Sequence, residues 1–99
     1  MYARSGLITV SPENVDDAVR VLREQQLPEY HESRGYKGFT ALADRVSGKV
    51  LGISFWENED DVTASDGLGE RARTAMSEAG GGSAPPTREQ WEVVLDETV

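Results

Sequence analysis

The chain has no cysteine, one histidine and two lysines among its 99 residues. Without cysteine there are no disulfides, no thiolate metal ligands and no thiol nucleophile. With His31 as the lone histidine, a multi-histidine zinc site is excluded, and a Ser-His-Asp arrangement would depend on that one side chain. Long apolar runs are missing as well. None approaches the roughly 20 residues that cross a bilayer, and the N-terminus lacks a basic-then-apolar leader. Cytoplasmic residence with no membrane partner is the expectation. Positive charge is also scarce: a formal net charge of −8 has the wrong sign for a phosphate backbone, so nucleic acid is not an expected partner.

What is present is ordinary for a globular chain, with 37% hydrophobic and 28% charged residues. The length suits one domain, 1–99, with a high surface-to-volume ratio that favours a partner subunit. A first strand is expected from Ala3 to Val10. Leu7 and Thr9 face one way and Ile8 and Val10 the other, so both faces are semi-apolar, as in a central strand. Ser11-Pro12-Glu13-Asn14 then reads as a helix start, with Ser11 as N-cap. Val15, Ala18, Val19, Leu22 and Gln26 form one stripe of that helix, ending in a polar residue. Pro28 implies a kink or a second short turn through Glu29 to Ser33, and Gly35 a left-handed cap.

Two alternating runs, Tyr36–Val46 and Lys49–Trp56, flank Ser47-Gly48 and read as a β-hairpin. Asn58 or Glu59 opens a second helical region to about Ala79, with a break expected near Gly67. Gly80 to Pro86 reads as a flexible loop, and Arg88 to Asp96 as a last strand. The order β-α-β-β-α-β gives an α+β, ferredoxin-like fold with a four-stranded antiparallel sheet. Two helices cover one face only, yet the central strands are apolar on both. A second copy of the chain is the simplest cover, two sheets closing into a dimeric α/β barrel.

Gly35-Tyr36-Lys37-Gly38-Phe39, Leu42-Ala43-Asp44, Ser47-Gly48, Phe55-Trp56-Glu57-Asn58-Glu59 and the closing Trp91-Glu92-Val93-Val94 together resemble the antibiotic biosynthesis monooxygenase (ABM) family. The resemblance implies a homodimer with a pocket in each subunit between sheet and helices. It also implies oxidation of an apolar aromatic small molecule by dioxygen, with neither metal nor flavin and no other cofactor. Trp56 matches the family's strand-end tryptophan. Quinone-forming members carry an asparagine four residues before it and a tyrosine six after it, where this chain has Gly52 and Val62. Haem-degrading relatives need a histidine on the second helix, and none lies between Glu59 and Ala79.

The candidate substrate-binding residues are Trp56, Tyr30, His31, Gln26 and Ser54. Trp56 either anchors the core or lines a pocket. Tyr30 continues the helical stripe and could turn its hydroxyl inward. His31 is the side chain that titrates near neutrality, at a helix end or in a pocket. Gln26 is an amide on an apolar face and needs partners. Ser54 shares a strand face with Gly52 and Trp56. Arg71 and Arg73 are too close in sequence to share one helix face. Glu57 to Asp61 read as a capping cluster rather than a metal site. No catalytic residue is identified. An oxygenase, a non-catalytic binding or accessory protein with the same fold, and a plain structural dimer all remain open.

Overall fold

The computed structural model describes residues 1–82 and 86–97. β1 (Tyr2–Thr9) leads through a 3-10 turn (Pro12–Asn14) into α1 (Val15–Val21), a π-turn (Leu22–Gln26) and α2 (Leu27–His31). β2 (Tyr36–Asp44) and β3 (Lys49–Trp56) form the hairpin, α3 (Glu59–Ala64) and α4 (Asp66–Ala79) follow, and β4 (Thr87–Glu92) closes the sheet. The strand order is β2-β3-β1-β4 with every pairing antiparallel, so β1 and β3 are central. This is the expected ferredoxin-like arrangement.

Residue alternation sorts the sheet into two faces. Arg4, Gly6 and Ile8 from β1 and Val10 just past its end, with Val50, Gly52, Ser54 and Trp56 from β3, look toward the helices. Ile8, Val10, Val15, Ala18, Leu22, Val50 and Met76 make one buried cluster. Tyr30, Trp56, Val62, Leu68 and Ala72 make a second. The opposite face carries Leu7, Leu51, Ile53 and Phe55, all half-buried, together with exposed Leu42 and Trp91.

Local chemistry moved several element boundaries. Ser11 makes no side-chain cap, and the chain enters the helix through the 3-10 turn instead. The strain expected at Pro28 is absorbed just upstream by the π-turn, which leaves Pro28 in the first turn of α2, where its missing N–H costs no hydrogen bond. β2 ends at Asp44 rather than Val46 because the Asp44 carboxylate turns back to accept the Val46 N–H at 2.9 Å. In that turn Gly48 has φ +83°, and an added Cβ would lie 1.9 Å from the Val10 carbonyl oxygen. Gly35 is left-handed as expected, with φ +77°.

Asn58 caps α3 by accepting the Asp61 N–H at 3.0 Å. The break between α3 and α4 falls at Ser65, not Gly67, since the Ser65 hydroxyl donates to the Val62 carbonyl at 2.7 Å and closes the helix there. β4 stops at Glu92, opposite Tyr2, rather than reaching Asp96. The loop expected from Gly80 to Pro86 falls partly on residues 83–85, outside the described residues. Among the described residues no helix is long and apolar enough to cross a membrane.

Candidate functional site

Three glycines shape the space between sheet and helices. Gly6 and Gly52 are direct partners across β1 and β3, so the middle of the sheet presents bare backbone toward α4. Gly69 faces them from α4. Arg73, one turn further along α4, lies across this floor: a Cβ on Gly6 would come within 2.8 Å of Arg73 Cδ, and one on Gly69 within 3.1 Å of its Nη1. The Phe39 ring covers the other side, its Cζ 3.0 Å from the position of a Gly52 Cβ. A cavity of about 30 Å³ remains, walled by Arg4, Tyr30, Phe39, Arg73 and Met76 around the glycines. That is about the volume of one water.

The polar groups here are cationic or neutral donors. The Arg4 side chain, 10% exposed, pairs with Asp66 Oδ1 and donates to Gln90 Oε1 at 3.4 Å, while its Nε has no hydrogen-bond partner among the described residues. Asp66 Oδ2 lies 3.7 Å from Arg88 Nη1. Arg73 has no carboxylate within 4.0 Å among the described residues. Burial pushes its pKa down, the Tyr30 oxygen pulls it back up, and the nearby Arg88 and Arg4 push it down further. Burial raises the Tyr30 phenol, with Arg73 opposing, so Tyr30 is a neutral donor at ordinary pH. Beyond Arg73, between α4 and β4, a groove of about 290 Å³ is lined by Glu70, Arg73, Thr74, Pro86 and Arg88. Arg73 is thus the wall between cavity and groove.

The five candidate residues fall in different places. Tyr30 and Ser54 line the cavity. Trp56 is fully buried beside it, donates its indole N–H to Ser54 Oγ at 2.8 Å, and packs against Tyr30 and Tyr36 with ring centroids 6.1 and 5.7 Å away. His31 is exposed and stacks near Tyr36 at 5.6 Å, outside the cavity. Gln26 sits half-buried in the π-turn, with Oε1 unpartnered among the described residues, and does not line the cavity. Val62 is fully buried in the Trp56 cluster. Arg4, Arg73 and the glycine trio are not among the five candidates. The available signal was an isolated glycine within each of two central strands, which marks a close approach. Among the described residues no group of acidic and histidine side chains could hold a metal ion.

No protein-family model matches the chain. Two Mycobacterium tuberculosis proteins, both uncharacterised, are similar in sequence. Rv2557 is 31% identical over 94% of this chain and Rv2558 is 32% identical over 96%. The chain spans only 41% and 39% of their respective lengths. Solved structures share the fold at low identity. A Streptomyces coelicolor monooxygenase from the gene ActVA-Orf6, in complex with Nanaomycin D, superposes with a TM-score of 0.74 at 18% identity, covering 97% of this chain and 92% of that one. A variant of SnoaB, a cofactor-independent oxygenase from Streptomyces nogalater, gives 0.65 at 14%, covering 96% and 94%. The haem degrader MhuD of Mycobacterium tuberculosis, with two haems bound, gives 0.68 at 17%, covering 99% and 100%. Other structures of this fold are antibiotic biosynthesis monooxygenases. The fold is therefore that of the ABM proteins, as the hairpin resemblance implied, and it is a fold that hosts more than one chemistry.

Proposed function

We propose that this chain is a member of the antibiotic biosynthesis monooxygenase family, works as a homodimer, and takes a small apolar molecule into the space between its sheet and its helices. The observation that carries this reading is the glycine-floored cavity. A packed core fills its interior at crystal-like density, whereas here a facing glycine pair on two central strands keeps the middle of the sheet bare and a movable arginine roofs it. The cavity has room for about one water, so a ligand enters by turning the Phe39 ring. The homodimer is supported by the sheet's other face, where Leu7, Leu42, Leu51, Ile53, Phe55 and Trp91 form an apolar surface that no helix covers among the described residues. Sedimentation equilibrium tests it: a species of twice the 10.8 kDa chain mass is expected, and a monomer at micromolar concentration overturns it.

The activity we attach to this site is cofactor-independent oxygenation of an apolar aromatic molecule, on the strength of the shared fold. A second reading, binding without turnover, is favoured by Gly52 and Val62. Neither side chain can donate a hydrogen bond to a phenolic substrate, and Val62 is sealed in the core. Incubation with anthrone or 1-naphthol under air, followed by an oxygen electrode, separates the two. Oxygen uptake above the protein-free blank supports the oxygenase; saturable binding with no uptake leaves the binding protein.

A further inference from the structure

We infer that the cavity beneath Arg73 is a site for a small apolar carboxylic acid, its carboxylate held between the Arg73 and Arg4 guanidinium groups and its body lying among Phe39, Ile8 and Met76. The inference rests on reading this space as a small-molecule site and adds the chemical class of the ligand.

The argument begins with charge. The chain as a whole is strongly acidic, yet three arginines, Arg4, Arg73 and Arg88, gather here, and the single carboxylate of Asp66 pairs with only two of them, Arg4 and Arg88. Asp66 gives one oxygen to Arg4 and the other to Arg88, which leaves Arg73 without a close anion among the described residues. Glu70 shares the outer groove with Arg73 and attracts it weakly from that side. Arg4 is the second observation. Its side chain is nine-tenths buried on a strand facing the cavity, and its Nε has no partner among the described residues. Asp66 matches the Arg4 charge, but a buried N–H left without an acceptor is costly, and an incoming anion would satisfy it while relieving the mutual repulsion of Arg4 and Arg73.

The shape selects among anions. Arginine's planar fork suits carboxylate and phosphate alike. The cavity, about 30 Å³, has room for one carboxylate oxygen as it stands, and the body of the acid takes the space that the Phe39 ring vacates on turning, against a wall that is mostly aliphatic and aromatic. A free phosphate would fill it with charge and leave that apolar wall unused. An apolar acid uses both.

Isothermal titration calorimetry on the full chain tests this with three probes: benzoate, its neutral isostere benzamide, and inorganic phosphate. Benzoate is expected to bind at least tenfold more tightly than either of the others. Arg73→Gln is expected to lose that tenfold preference of benzoate over benzamide, and Arg73→Lys to keep part of it. The comparison of probes on the unaltered protein does not depend on any variant folding. Equal binding of benzoate and benzamide, a preference for phosphate, or a benzoate affinity indifferent to Arg73→Gln each overturns the inference. Benzamide binding without benzoate overturns the carboxylate alone and leaves the small-molecule reading standing. Binding of neither probe at millimolar concentration overturns the carboxylate inference, and loss of 1-naphthol binding as well would be needed to bring down the reading it rests on.

Discussion

Gly6 and Gly52 face each other across β1 and β3, and Arg73 from α4 lies over the bare backbone between them. Glycine in a strand interior gives up side-chain packing and costs roughly 0.5–1 kcal/mol against alanine, so a facing pair in the two central strands is an expensive way to build a sheet. What the pair provides is room. Gly6→Val should fill that room, since even a Cβ at this position meets Arg73 Cδ at 2.8 Å. Because the clash is with a flexible side chain, the fold should survive, with an unchanged far-ultraviolet circular dichroism spectrum. Ligand binding at the cavity should be lost. Binding that persists in a folded Gly6→Val protein would place the site elsewhere.

Phe39 closes the opposite side of the same space. Phe39→Ala should open the cavity toward Gly52 and raise the affinity for 1-naphthol several-fold. Removing a large aromatic side chain costs about 3–5 kcal/mol when it is fully buried. Phe39 is only half-buried, and the lower end of that range applies. Urea denaturation measures the cost, and fluorescence titration the affinity.

The Trp56–Ser54 hydrogen bond satisfies a wholly buried indole N–H. Ser54→Ala should therefore destabilise by about 1–3 kcal/mol, the usual cost of orphaning a buried donor. In a Trp56→Phe background the same substitution should cost much less, because no donor remains to be orphaned. A double-mutant cycle in urea reads the coupling directly. Equal costs in both backgrounds would mean that Ser54 matters for packing alone.

Tyr30 contributes to the alkaline behaviour. Burial holds its phenol above the ordinary value of 10.0, so the unfolded chain releases that proton first as pH rises. The stability linked to Tyr30 is fully present below about pH 10 and is lost as pH climbs through the raised folded value. Melting temperatures of the parent and Tyr30→Phe proteins should run parallel at neutral pH. Above about pH 10 the parent should fall more steeply. Parallel curves throughout would show Tyr30 to be solvated.

The hairpin, the strand order and the apolar stripe of α1 could all be read from the sequence, because each depends on alternation or turn chemistry within a short window. Tyr30 and Ser54 were also within reach, as side chains projecting from recognisable faces. Arg4 and Arg73 were not. Arg4 sits in a strand whose loose alternation shows two semi-apolar faces without saying which carries the arginine inward. Arg73 resembles any surface arginine of α4 until Gly6, far away in sequence, proves to lie beneath it. Gly69 misled in the same way: two glycines near Gly67 suggested a helix break, whereas Gly69 remains helical and buried because Arg73 and the Tyr30 hydroxyl occupy the space where its side chain would go. Such contacts are long-range, and local pattern carries no trace of them. His31 and Gln26, chosen for their chemistry, were placed by the end of α2 and by the π-turn outside the cavity.

The central claim is that a small molecule occupies the space between sheet and helices. Amide chemical shifts during titration with 1-naphthol test it most directly. The account predicts saturable shifts at Gly6, Gly52 and Gly69, the three glycines that line this cavity, with smaller changes at Leu42 and Trp91 on the open sheet face. Shifts confined to that open face, or no saturable shift at any of the three glycines, would contradict it.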